Sequence, residues 1–343
     1  MTDTMLAFRF VEWGHPGEYR EVPVPQPGPG QALVRVAGSG LCGTDIGLLR
    51  SGHRTWPDPP YTVGHETAGW IEKLGDGVSD WTVGDGVLVS ALPWCGSCRK
   101  CQIELENECR SRPAAYGLGR DGGLAAYMVA DTRDLVSLGS LDPRTAVPLA
   151  DAGSTSYRAV RLALEPMRGG NIVVIGVGGL GEFAVQYLRA LSDANVVALD
   201  VRQRALERAA ELGAAHTFLA GVDSAVAVHA ASPGGVDAVI DFVGVNNSLR
   251  LASEVIGSGG RIVQVGIGGG RLSVGWEVLP RSAQYVTTSG WRLKDMREAV
   301  ALAQSGRITL TSEHIPFRDI HEGIDQLQRG AFRGRVVVDS LAH

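Results

Sequence analysis

Four cysteines, Cys95, Cys98, Cys101 and Cys109, crowd the stretch CGSCRKCQIELENEC in a chain that has five in all. Their spacing, C-x2-C-x2-C-x7-C, supplies enough thiolates for a closed tetrahedral zinc site with no position left for a substrate. The same ligand set also suits an iron–sulfur cluster. Cys42 stands alone far upstream, with His65 in GHE and Asp151 in LADAG as candidate companions. A catalytic zinc takes three protein ligands and keeps one position open for water or a substrate oxygen, and these residues are of the right types. Spacing alone equally allows Cys42 to be a small core residue.

A third cluster is built from glycines. GVGGLG places Gly176, Gly178 and Gly181 in a G-x-G-x-x-G pattern, with Gly179 and Leu180 inside it, between an apolar run and an amphipathic stretch. Glycine there permits a tight turn, lets the backbone approach a pyrophosphate and allows the following helix to pack closely, with its N-terminus toward the phosphates. Asp200 ends the next apolar run at the spacing expected of an acid that holds the adenosine ribose hydroxyls. An aspartate there repels a 2′-phosphate, which favours NAD over NADP; Arg202 and Arg204 follow closely and work against strict exclusion.

These residues need elements to hold them. ALVRVAG, ETAGWIEKLG and GVLVSAL read as short strands separated by the turn-forming GDGVSD and VGDG, so the first 150 or so residues form a β-rich lobe. Beyond residue 155 or so the pattern alternates. NIVVIGV is a strand buried on both faces, and Leu180, Phe183, Ala184, Tyr187, Leu188 and Leu191 recur at helical spacing after it. NVVALD, RQRALERAAELGA, VDAVIDFVG and GGRIVQVGI continue as strand, helix, strand and strand, the signature of a doubly wound parallel sheet. The tail, with a helix in LKDMREAVALAQSG and a strand in GRVVVDS, could close that sheet or return to the first lobe.

Composition narrows the functional classes. The length of 343 residues, 44% of them apolar, suits two domains with sizeable cores. A formal net charge of −5 with no basic block argues against nucleic acid or an anionic membrane as partner. MTDTMLAFRFVEWG lacks the basic and apolar regions of a secretory signal, so the expectation is a soluble, cytoplasmic chain whose clustered thiols bind metal rather than form disulfides.

GLCGTD, GHETAG, the four-cysteine lobe, GVGGLG and DFVG, in this order, resemble the zinc-dependent medium-chain alcohol dehydrogenase family, within the medium-chain dehydrogenase/reductase superfamily. The resemblance implies an α/β chain: a GroES-like, β-rich catalytic domain over residues 1–152 carrying a structural zinc lobe at 95–109, a Rossmann NAD-binding domain over 153–287, and a segment 288–343 that returns to the catalytic domain. It assigns Cys42, His65 and Asp151 to a catalytic zinc and the four clustered cysteines to a structural one, hence two zinc ions per chain. Asp151 stands where many members have cysteine, and a carboxylate oxygen is an ordinary zinc ligand. Glu66 matches a glutamate that can approach the metal during ligand exchange, Asp45 the acid that orients the histidine ligand, and Thr44 the hydroxyl that takes the alcohol proton.

Two departures from the family stand out. Gly43 occupies a position where many members carry a basic residue against the pyrophosphate, and neither Ile46 nor Gly47 supplies the histidine that often finishes the proton relay. His53 is the nearest substitute. Trp56, Trp94 and Trp291 fall in segments that line the family's substrate cleft, consistent with a bulky apolar substrate or with core packing alone. The expected reaction is hydride transfer between NAD and a secondary or aromatic alcohol or its ketone or aldehyde, with zinc as Lewis acid, by a homodimer or homotetramer. A reductase of C=N or C=C bonds using NAD(P)H on the same fold is the rival enzyme reading. A zinc-ribbon binding module is the rival outside enzymes, and the acidic balance opposes it.

Overall fold

The computed structural model describes residues 3–50, 57–165 and 170–342. They fall into two units, Met1–Ser154 together with Trp291–His343, and Thr155–Gly290. A seven-stranded sheet organises the first unit, in the order Leu135–Ser137, Gly86–Val89, Glu66–Leu74, Gln31–Leu41, Arg335–Asp339 and Ser312–Ile315, with Tyr127–Asp131 beside it. Gln31–Leu41 is its axis. One edge of that strand pairs along its length with Glu66–Leu74; the other is shared, Tyr127–Asp131 taking Gln31–Arg35 and Arg335–Asp339 taking Gly38–Leu41. The tail therefore completes the first unit's sheet, in antiparallel register Val336 to Leu41.

Below the end of that strand, Phe8, Phe10, Leu41, Leu48, Tyr61 and Phe317 pack into one core. Burying each such side chain contributes about 1.5–3 kcal/mol, enough to seat the short helix Gly43–Arg50 through Leu48 and Leu49. Trp291 is core packing: it is buried, and its indole N–H donates to Ser90 Oγ at 3.1 Å.

The second unit holds six parallel strands in the order His216–Leu219, Asn195–Asp200, Asn171–Ile175, Val236–Asp241, Ile256–Gln264 and Gln284–Thr287. Asn171–Ile175 lies in the middle and successive strands are added on either side, so the sheet is doubly wound with its switch point at the end of that strand. The helix Gly181–Leu191 buries Phe183, Ala184, Tyr187 and Leu188, the stripe its spacing anticipates. Sequence periodicity missed Ser224–Ala231, a helix whose alanines and valines form no distinct stripe. No helix among the described residues is long and apolar enough to cross a membrane.

Candidate active site

The axis strand delivers Cys42 immediately after its last residue, and the neighbouring strand begins immediately after His65. Gly64 precedes that histidine at φ +101°, and a Cβ on it would lie 2.6 Å from the Leu124 amide nitrogen, so glycine is required for the approach. Asp151 ends the turn ahead of the helix Ala152–Leu164. These three residues come from distant parts of the sequence, yet atoms that could bind a metal all lie within 4.8 Å of one another, with His65 Nε2 3.6 Å from Asp151 Oδ2. Donors about 2.0–2.3 Å from one tetrahedral zinc lie about 3.3–3.8 Å apart, so the set needs only slight contraction to hold the ion.

Asp45 explains how two of these ligands are aimed. Its Oδ2 accepts the Cys42 amide at 2.9 Å, and its Oδ1 lies 3.2 Å from His65 Nδ1. With Nδ1 donating to that carboxylate, the Nε2 lone pair is left for a metal. Burial alone would lower the His65 pKa, but the carboxylates of Asp45 and Asp151 hold it well above the ordinary value. A pocket that draws a proton this strongly carries surplus negative charge, and a divalent cation answers the same need.

Sequence reasoning missed Arg335. Its guanidinium is buried against the fully buried Glu66, Nε 3.3 Å from Oε1 and Nη2 in contact with Oε2, and Nη2 also lies 3.9 Å from Asp151 Oδ2. Burial pushes the Glu66 carboxyl up to about 8 even though Arg335 pulls it down. Gly40 makes room for the pair, since a Cβ there would fall 2.5 Å from Glu66 Cδ. The one available signal was an arginine opening the apolar run RVVVD; its inward direction depends on register with Gln31–Leu41.

Thr44 lies in the first turn of the Gly43–Arg50 helix, its hydroxyl 3.6 Å from Cys42 Sγ. His53 and Trp56 lie outside the described residues. Trp94 is half-buried with Arg133 stacked over its ring, 5.3 Å from the centroid.

The cysteine lobe is tetrahedral in its spacings. Sulfur–sulfur distances of 3.8 Å for Cys95–Cys101, 3.5 Å for Cys98–Cys101 and 3.9 Å for Cys98–Cys109 bracket the edge of about 3.8 Å expected when four thiolates surround zinc. All four are free thiols, too far apart for a disulfide bond. The amides of Cys95 and Cys98 point at Cys109 Sγ and Cys95 Sγ, at 3.4 and 3.3 Å, and such donors favour thiolate; the Cys98 and Ser97 amides hold the Cys95 thiol at about 6, whereas burial raises Cys101.

In the second unit the GVGGLG turn follows the central strand. Gly176 adopts φ +85°, and a Cβ on Gly181 would lie 2.1 Å from the Gly176 carbonyl, so the helix starting at Gly181 packs as close as glycine allows. Leu180 occupies the position just ahead of that helix and offers it no side-chain hydrogen bond. Asp200, at the end of the next strand, borders a cavity of about 370 Å³ walled by Val201, Val222, Val245 and Leu251. Burial would raise its carboxyl pKa, but Arg202 and the Val177 amide hold it below the usual range.

Residues 28–140 match the alcohol dehydrogenase GroES-like domain and residues 179–305 the zinc-binding dehydrogenase domain. The chain belongs to the zinc-binding alcohol dehydrogenase family. Among its relatives, the NAD-dependent alcohol dehydrogenase of Sulfolobus acidocaldarius is 34% identical over 355 residues, covering 97% of this chain and 99% of that protein. The alcohol dehydrogenase of Aeropyrum pernix superposes with a TM-score of 0.90 at 31% identity, over 97% of this chain and 99% of that one. Acetophenone reductase from Geotrichum candidum, solved with NAD, superposes with a TM-score of 0.89 at 26% identity, over 99% and 98%.

Proposed function

We infer that the chain transfers hydride between NAD and a secondary or aromatic alcohol, or the corresponding ketone or aldehyde. The convergence of Cys42, His65 and Asp151 within 4.8 Å, with Asp45 aiming two of them, carries this reading. Zinc held there supplies Lewis-acid polarisation of the substrate oxygen. Asp45 keeps the imidazole in the tautomer that leaves Nε2 free. Thr44, whose hydroxyl sits beside Cys42 Sγ, is the first acceptor of the alcohol proton. Arg335 pairs with Glu66 and stands close to Asp151, and its positive charge offsets the negative charge that the metal pocket accumulates. Gly176, Gly178, Gly179, Leu180 and Gly181 receive the pyrophosphate, and Asp200 and Arg202 meet the adenosine ribose. The reduction of an aromatic ketone named for the Geotrichum relative supports an aromatic or bulky secondary substrate.

The same reading places the protein in the cytoplasm, where its five free thiols stay reduced, and as a homodimer or homotetramer. The strand Gln284–Thr287 ends the six-stranded sheet with one edge unpaired among the described residues, and Trp276 in the preceding loop is 93% exposed; both favour burial against a second copy. A panel of alcohols and carbonyl compounds followed by NADH absorbance tests the activity, with zinc content measured on the same sample. Turnover confined to C=C or C=N substrates would overturn it.

A further inference from the structure

Every acceptor position of Asp200 is taken. Its Oδ1 accepts the Arg202 amide at 2.9 Å and Arg202 Nε at 3.0 Å; its Oδ2 accepts the Val177 amide at 2.8 Å and Arg202 Nη2 at 3.2 Å. An ionised carboxylate offers about four lone-pair sites, so none is left for a sugar hydroxyl. The four donors differ in kind. Two are backbone amides, fixed by the glycine turn and by the strand end. The other two belong to one edge of a guanidinium whose side chain is 38% exposed. That guanidinium also leans on the glycine turn, since a Cβ on Gly178 would lie 3.4 Å from Nη2.

The edge of a guanidinium and a vicinal diol are both two-donor groups of similar span. We propose that Arg202 is a placeholder for the adenosine ribose diol: it occupies the two exchangeable positions of Asp200 in the cofactor-free protein, must be evicted by NAD, and once evicted supplies the counter-charge for a 2′-phosphate. The inference rests on the NAD reading above and deepens it by naming the residue that sets the strictness of that preference. Asp200 refuses the phosphate by charge and by loss of a hydroxyl donor. Arg202 opposes the first effect, because a guanidinium pairs with phosphate through two parallel N–H donors.

The two cofactors then respond to Arg202 with opposite sign. NAD must break an internal ion pair to bind, so removing the arginine removes a competitor. NADP loses its counter-charge. A misfolded variant, or one that merely lost a pyrophosphate contact, would weaken both cofactors together, because NAD and NADP differ only at the 2′ position.

The experiment is a titration of the full-length, zinc-loaded protein with NADH and with NADPH, read by tryptophan quenching, for the parent, Arg202→Ala and Arg202→Lys. For Arg202→Ala the Kd of NADH should fall about threefold to tenfold and that of NADPH should rise at least about tenfold. Arg202→Lys, which keeps the charge but lacks the two-donor edge, should bind NADPH between the other two. Shifts in the same direction for both cofactors, or none for either, against a parent that binds NADH tightly, overturn the placeholder and leave the NAD reading standing. A parent that binds neither dinucleotide overturns both.

Discussion

The two clusters of metal-binding side chains in this chain, one of four thiols and one of a thiol, an imidazole and a carboxylate, both suit zinc and are built in opposite ways. In the lobe, all four ligands come from residues 95–109, their sulfurs are aimed by amides from within that stretch, and three of the four cysteines are only half-buried. At the Cys42 site the ligands arrive from strand ends and a turn, and Asp45, Glu66 and Arg335 surround them in the interior. The lobe is a local fold that needs only its own turns. The Cys42 site exists only when the sheet is in register, and its ligands are held by interactions that a metal did not create. Loss of metal should therefore cost the lobe its shape and the Cys42 site mainly its chemistry.

That contrast can be broken most sharply at Asp151. Asp151→Ala or Cys42→Ser should drop zinc from two equivalents to one and abolish nearly all turnover, while NADH binding and the melting temperature stay close to the parent values. A variant that keeps both zinc ions with full activity would remove the site from the mechanism. Thr44→Val should slow alcohol oxidation by about 10²–10⁴-fold with zinc content unchanged, whereas Thr44→Ser should keep most of the rate, since general acid–base help of this size needs the oxygen and not the shape. Unimpaired oxidation by the valine variant would instead favour a C=N or C=C substrate.

Smaller effects belong to stability. Arg335→Ala leaves the buried Glu66 carboxyl without its partner and, above about pH 8 where that carboxyl ionises, should cost about 3–5 kcal/mol in denaturant unfolding, of which Glu66→Gln with Arg335→Met should recover a large part. Equal stability of the single and double variants would mean that the pair is not coupled. Cys109→Ser should also release one zinc, but with the reverse signature: a melting temperature lower by about 5–10 °C and turnover retained in the cold. If Cys109→Ser and Asp151→Ala give the same thermal profile, the distinction between a locally built and an assembled site is wrong.

Much of this was legible before any coordinates. The GVGGLG turn stood out because a positive φ at Gly176 and a closest approach at Gly181 both demand glycine, and the following helix because its apolar stripe survives as spacing. Asp200 is legible at its strand end, but the saturation of its carboxylate by Arg202 is not, because two residues two positions apart in sequence show nothing of where a guanidinium will turn. Trp291, which matched a cleft-lining segment, packs into the core against Ser90. Composition cannot separate those outcomes, since a tryptophan serves either place.

What the sequence determined by itself was everything carried by neighbours along the chain: the four-cysteine lobe, the glycine turn, the alternation of strands and helices, and the residue types of the second metal site. Tertiary structure alone decided that Arg335, 269 positions beyond Glu66, would face it across the axis strand. Only once Gln31–Leu41 was paired on both edges did the ends of three chain segments bring Cys42, His65 and Asp151 to one point. The reason is geometric: turn chemistry and spacing act over a few residues, where backbone angles limit the alternatives. Which distant side chains meet depends on strand register, and a slip of one residue would send every side chain to the opposite face.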